Sequence, residues 1–307
     1  MILQSLFPVF ALVVLGAVLK RFGMTNDRFL RVSDRLVYFI FFPALLFWKI
    51  GGAPPPSGVT WNLCKAGMAG VLAVWLLSTA FIRLLPIPAF KAGSFSQSCY
   101  RFNTYIGMAV VINALGEEGV RHFGVLIGFT IPLINILAVS VLIWHSGHRY
   151  SLAGRMVVTV RALVSNPLII ACAAGIAYAR TIHVFPPFIE NTLRLTSSVT
   201  LPLALLSIGG ALTLRGLRGN LGLSLAGAVF KLALFPAIGY GLLQWWGVAG
   251  AAFGTGMIFF ALPTSTAIYV LSSQLNSDTE LASASIVAST VLSFVSLSAV
   301  LLWFVGP

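Results

Sequence analysis

Long apolar runs separated by short polar connections dominate this chain. Segments of about 20 apolar residues, the length that crosses the hydrocarbon core of a bilayer as helix, fall at roughly 2–20, 32–50, 62–82, 94–115, 122–144, 166–183, 196–214, 221–244, 248–273 and 281–304. The runs are continuous and lack the alternating ~10-residue pieces of a membrane β-strand. Helices, which satisfy their own backbone hydrogen bonds, are therefore the predicted spanning elements. The pattern predicts an all-α membrane protein of ten transmembrane helices with no soluble domain between them.

Composition supports this: 58% of the 307 residues are hydrophobic and 8% are charged, against roughly 25% charged in a soluble fold. The net charge of +12 is explained by topology before any partner is invoked. With ten spans, the loops on one side hold Lys20, Arg21, Arg28, Arg31, Arg83, Lys91, Arg149, Arg155, Arg161, Arg215 and Arg218, and those on the other hold only Arg121, Arg180 and Arg194. That asymmetry puts the basic loops in the cytoplasm and both termini on the non-cytoplasmic side of the cell's inner membrane. Nothing calls for nucleic acid. Lys20 and Arg21 follow the first apolar run instead of preceding it, so no cleavable leader is expected.

Comparing the sequence with itself adds more. A shift of 159 residues places Pro8 on Pro167, Gly16 on Gly175, Arg21 on Arg180, Arg35 on Arg194, Pro43 on Pro202 and Gly51 on Gly210. A shift of 160 places Asn103-Thr104 on Pro263-Thr264, Val110 on Val270, Leu115 on Leu275 and Glu118 on Asp278. The expected organisation is a first repeat of five spans over 1–145, a short basic cytoplasmic linker over 146–165, and a second repeat over 166–307. Five spans is an odd number, so the second copy is inverted. Inverted repeats with a substrate site at their interface are the architecture of secondary transporters.

The fourth span carries Arg101, Asn103 and Thr104, with Gly107 one turn on; its repeat mate in the ninth carries Pro263, Thr264, Ser265 and Thr266. Proline lacks an N–H and disfavours helix in the residue before it. Irregular backbone at membrane depth is tolerated only where protein or a watery cavity covers it. Two weak points at equivalent places predict crossed, broken helices 4 and 9, whose half-helix N-termini suit an anion. The plainer reading is a proline kink with buried hydroxyls packed between helices.

Arg101 and Lys231 are basic residues inside predicted spans, where such side chains are expensive and tend to be functional. Asp34 is the only carboxylate within a span, so two cations facing one anion point to an anionic ligand. The alternative is that Arg101 pairs with Asp34 and Lys231 reaches an interface. Asn166 opens the sixth span before Pro167; it is either an N-cap or a polar contributor to the central site. Cys64, Cys99 and Cys172 have no disulfide or metal spacing. His145 and His148 sit in a basic loop without carboxylate or thiol partners. No metal, resident cofactor or enzyme motif is expected.

The segments Arg101-Phe102-Asn103-Thr104-Tyr105-Ile106-Gly107, Ser165-Asn166-Pro167, Ala261-Leu262-Pro263 and Lys231 to Pro236 together resemble the signature regions of the auxin efflux carrier family. This family includes plant PIN-type auxin exporters and bacterial carriers of malate or malonate. The resemblance spans the whole chain. It implies a fold of the bile-acid-symporter and sodium/proton-antiporter type, an elevator-type alternating-access mechanism, and small carboxylates as substrates. It also implies a substrate site around Asn103 and Pro263 with Asn166 nearby, and it is compatible with a homodimer. Unlike PIN-type proteins, the fourth span has no proline, so its break is expected to be less sharply unwound. Paired membrane aspartates of the antiporter type are absent, which leaves coupling to Na+, to H+ or to membrane potential alone open. A polytopic receptor binding the same acid without flux is the reading from a different class.

Overall fold

The protein is described by a computed structural model covering residues 2–145, 164–182, 184–212 and 217–305. The described residues are helical apart from short turns and two interruptions at the centre. All but the last two residues of the expected linker lie outside them, with Arg149, Arg155, Arg161 and His148; so does Arg215.

Helix α1 (Ile2–Arg21) turns through a short loop into α2 (Asp27–Leu36). The Asn26 side chain starts α2 by accepting from the Phe29 N–H at 2.8 Å. Lys20, 2.7 Å from Asp27, holds that exposed carboxyl below the usual carboxylate range by hydrogen bonding and charge. A π-helical turn at Val37–Phe41 joins α2 to α3 (Phe42–Gly51). It directly precedes Phe42-Pro43, where a missing proline N–H would otherwise leave a carbonyl without its helical partner. The long α4 (Gly58–Leu84) is followed by α5 (Ala89–Tyr100) and α6 (Thr104–His145). Within α6, Gly116 has φ 62° and turns the chain between two helical stretches; a left-handed residue there favours glycine.

The second half contains α7 (Pro167–Thr181), α8 (Pro187–Ser198), α9 (Thr200–Ala211) and α10 (Leu217–Val229). A π turn at Phe230–Leu234, again preceding a Phe-Pro pair, leads into α11 (Phe235–Trp245). Then come α12 (Gly250–Ala261), α13 (Ala267–Gln274) and α14 (Thr279–Val300), which ends in a third π turn at Leu301–Val305.

Six stretches among the described residues are long and apolar enough to cross a membrane: Leu3–Arg21, Gly58–Leu84, Ala89–His145, Pro187–Ala211, Gly219–Trp245 and Thr279–Val305. Pro167–Thr181 and Gly250–Ala261 are shorter apolar helices. The difference from ten simple segments has physical causes. One stretch contains both the break after Tyr100 and the turn at Gly116. The α2–α3 stretch begins as a charged helix, and the α12–α13 stretch is cut in two.

Two groups of helices pack side by side. In one, α1 lies along α9, and α3 lies along α7. Gly16 and Gly209 set the first pair: a Cβ on either would run into the backbone of the other helix, at Leu206 and Val13 respectively. In the other group, α4 packs on α6, α10 on α14, α12 on α6, and α11 on α4. Helix α6 provides most of the contact between the groups. The core of the second group is aromatic, with Phe102, Phe235, Phe259 and Phe260 in edge-to-face contact.

Candidate functional site

Both predicted interruptions are present, and they meet. Helix α5 stops at Tyr100, and Arg101 to Asn103 are non-helical before α6 begins at Thr104. Helix α12 stops at Ala261, and the chain is irregular from Leu262 to Thr266 before α13. The Asn103 N–H donates to the Pro263 carbonyl at 2.8 Å. This hydrogen bond fixes the crossing of two segments 160 residues apart in the chain (263 − 103). The break without proline is the shorter one.

Each end of a broken helix leaves backbone groups without intrahelical partners, and here the opposite strand and its neighbours supply most of them. The Thr264 hydroxyl donates to the Ser98 carbonyl at the end of α5, at 2.9 Å. The Thr264 N–H donates to the Ser289 hydroxyl of α14 at 3.1 Å. The Asn103 side-chain oxygen caps α6, accepting from the N–H groups of Tyr105 and Ile106 at 3.1 Å each. Ser265 accepts from the Ala267 N–H at 3.3 Å as α13 begins. Gly107 permits the close approach of the two breaks, since a Cβ there would lie 2.5 Å from Phe123 and 2.6 Å from Leu262.

Against this satisfied frame, several groups stand out. Arg101 is 7% exposed, and its Nε and Nη1 have no hydrogen-bond partner. The Asn103 amide nitrogen, on a side chain 1% exposed, has none either. Residues 101 and 103 lie two apart in a non-helical segment that Arg101 enters with extended backbone, the spacing that directs side chains to one face of a strand. The phenols of Tyr100 and Tyr38 lie within electrostatic reach of Arg101, and the Tyr100 hydroxyl is also buried without a partner. No ion pair joins Arg101 to Asp34 among the described residues. Asp34 is surface-exposed and neighbours Ser207 and Tyr105 instead.

The remaining expected residues divide. Lys231 is fully buried at the crossing, its amine donating to the Phe260 carbonyl at 3.3 Å, so it does not reach an interface. Asn166 is an N-cap, accepting from Leu168 and Ile169 N–H groups at 3.0 and 3.4 Å; no hydrogen bond links it to the crossing among the described residues. Thr104 is half-buried at the start of α6, and Pro263 is buried at the contact itself. Sequence reasoning missed Tyr38, Ser98 and Ser289. Only the polar stripe Ser285, Ser289 and Ser293 in an apolar helix was a usable signal. A cavity of about 180 Å3 lined by Pro54, Pro55, Pro56, Thr60, Arg121 and His122 lies away from these residues.

Residues 155–301 match the family described as membrane transport protein. Relatives extend the similarity along the rest of the chain. An uncharacterized transporter of Methanocaldococcus jannaschii is 22% identical over 302 residues, covering 96% of this chain and 95% of the relative. The second half of the chain thus resembles the membrane transport protein family. A Rhizobium meliloti protein named "Putative malonate transporter" is 23% identical over 301 residues, 96% of this chain and 93% of that one. This transport family is the one the signature segments resemble, the auxin efflux carriers. The protein is thus a multi-pass membrane protein of transporter type, and among its buried donors without partners the crossing holds the charged ones, those of Arg101, with the Asn103 amide beside them.

Proposed function

We propose that this protein carries small organic anions with carboxylate groups across a cell's inner membrane, and that the carboxylate is held at the crossing of the two broken helices. The observation that carries the reading is the set of buried, unpartnered donors there: Nε and Nη1 of Arg101 and the amide nitrogen of Asn103. A buried cation without a partner is strongly unfavourable, and a carboxylate fits a guanidinium fork through paired hydrogen bonds. The starts of α6 and α13 add partial positive charge on the same side of each break. The relative named for malonate supports a dicarboxylate as first choice. Thr264 and Ser265 shape the site, Pro263 keeps its segment out of ordinary helix, Gly107 lets the two segments approach, and Thr104 opens α6 beside them. The cap role of Asn166 leaves it at the periphery.

Alternating access follows from the two groups of helices. The α1–α9 and α3–α7 pairs are the contacts that exchange under a two-fold relation between the halves, which supports inverted repeats. The first group forms a frame, and the group carrying the crossing moves against it. Ten crossings put Met24 in the cytoplasm and Ser57 outside. An inside-negative potential then favours export of an anion by ~2.3 kcal/mol per charge per 100 mV.

Malonate counterflow in proteoliposomes tests transport, and a thermal-shift screen of mono- and dicarboxylates on purified protein tests binding. Saturable exchange and a raised melting temperature are expected. Binding without exchange would favour a receptor, and no response to any acid in the panel would remove the reading. Single cysteines at Met24 and Ser57, both exposed, test topology against a background of three buried native cysteines. They should label from opposite sides in intact cells. Labelling of both from outside would overturn the ten-crossing arrangement.

A further inference from the structure

Lys231 is the second buried cation, and its surroundings differ from those of Arg101. Its amine donates to the Phe260 carbonyl at 3.3 Å and stands 4.4 Å from the centre of the Phe235 ring. That carbonyl is open because α12 ends early. In an unbroken helix its partner would be the Thr264 N–H, which donates to Ser289 instead. Helices α4, α5, α12 and α14 enclose the π turn that carries Lys231. Among the described residues on these helices, the titratable group whose charge bears on the amine is the Cys99 thiol of α5. None directs a carboxylate, a histidine or another cation at it among the described residues.

This contact tolerates a change of charge. A neutral amine and an ammonium both carry N–H groups, so either form can donate to Phe260. The ammonium in this place lacks a counter-ion, and burying an unpaired charge is heavily penalised. Arg101, by contrast, stays charged in any surroundings. Both strands of the crossing pass the amine: Phe260 lies three residues before Pro263, and Cys99 lies two before Arg101.

Resting on the carboxylate reading above, we infer that Lys231 is the site where a proton travels with the carboxylate. With the crossing empty, Lys231 is a neutral amine and Arg101 carries the single positive charge. When an anion settles beside Arg101 and Asn103, it cancels that charge, and Lys231 takes up one proton to become an ammonium. Only an N–H bond forms; the proton comes from the water on the side to which the site is open and leaves to the water on the other side. For a monoanion, the empty and loaded crossing then carry the same net charge, so the moving group crosses the potential equally in both states. Linkage requires the converse as well: protons tighten anion binding by the same factor by which the anion tightens proton binding.

The test is malonate-driven flux in proteoliposomes with a pH dye inside, comparing wild type with Lys231→Met, which cannot be charged, and Lys231→Arg, which cannot be discharged. Wild type should move about one proton per malonate. Both variants, at whatever rate of exchange they keep, should fall towards zero protons per malonate. Malonate flux in wild type without proton movement would overturn the inference while leaving the carboxylate site intact. So would a variant that moves malonate with the wild-type proton ratio. If wild type moves no malonate, the carboxylate reading fails on its own, and detergent-purified proteins decide Lys231. The melting temperature of wild type should then carry a pH-dependent component that Lys231→Met lacks. Superimposable profiles would overturn the assignment, and if Lys231→Met does not fold, Lys231→Arg replaces it in that comparison.

Discussion

At Arg101 to Asn103 the chain leaves the helix for three residues without a proline, and at Leu262 to Thr266 it does so for five around Pro263. In the second break the chemistry is almost wholly internal. The Thr264 N–H and hydroxyl both have protein partners, Ser265 caps the following helix, and the Pro263 carbonyl accepts from Asn103. In the first break the backbone is equally well served, yet Arg101 and the Asn103 amide keep donors that no protein group meets. The same topological problem is thus solved twice with different residues. One strand has its own donors largely taken up within the protein, and the other keeps donors free, which is why the proposed anion is placed beside it. Similar geometry at a pair of pseudo-equivalent positions does not imply an equal share in binding.

The sharpest way to break this contrast is Arg101→Ala. It removes the proposed charge partner of the anion and no ion pair found among the described residues, so saturable malonate exchange should be lost while the melting temperature holds or rises. A variant that melts early would mean that Arg101 is structural. Asn103→Ala should come next. One hydrogen bond to a charged group is worth about 1.5–3 kcal/mol, so malonate affinity by calorimetry should fall roughly 10- to 150-fold. The lost helix cap should also remove about 1 kcal/mol of stability. Pro263→Ala, on the strand whose donors are taken up, should slow exchange more than it weakens binding, with affinity changing less than about tenfold. The comparison fails if binding suffers more here than at Asn103. The smallest effect is expected for Thr264→Val, which gives up the hydrogen bond to Ser98. It should lower stability by about 1 kcal/mol and leave the dissociation constant nearly unchanged.

Much of this site was legible before any coordinates. The positions of both breaks followed from weak helix formers inside apolar segments and from their alignment at one offset, because lipid tolerates irregular backbone only when it is covered. The absence of proline in the first break accompanies the shorter interruption, three residues against five. The partners were less legible. Ser98 and Ser289 act through a backbone carbonyl and a hydroxyl brought close by tertiary packing, and no local pattern encodes that. Pairing Arg101 with Asp34 was a sound use of the only carboxylate in a span, but the structure places Asp34 beside Ser207. Asn166 was equally consistent with a cap or a ligand, since an N-cap and a site residue use the same side-chain oxygen. Helix lengths were misjudged where charge, a π turn or Gly116 altered a segment without ending its run of helix.

The backbone contact between α1 and α9 has a mechanical consequence. At Gly16 and Gly209 the two helices touch with no side chain between them, so they cannot slide or roll against each other without collision. A pair locked in that way behaves as a single rigid beam. The alternating access proposed above would then have to be accommodated elsewhere, along the surface where α6 meets the frame. An alanine at either glycine would act at the anchor instead of the load, forcing the two helices of the beam apart.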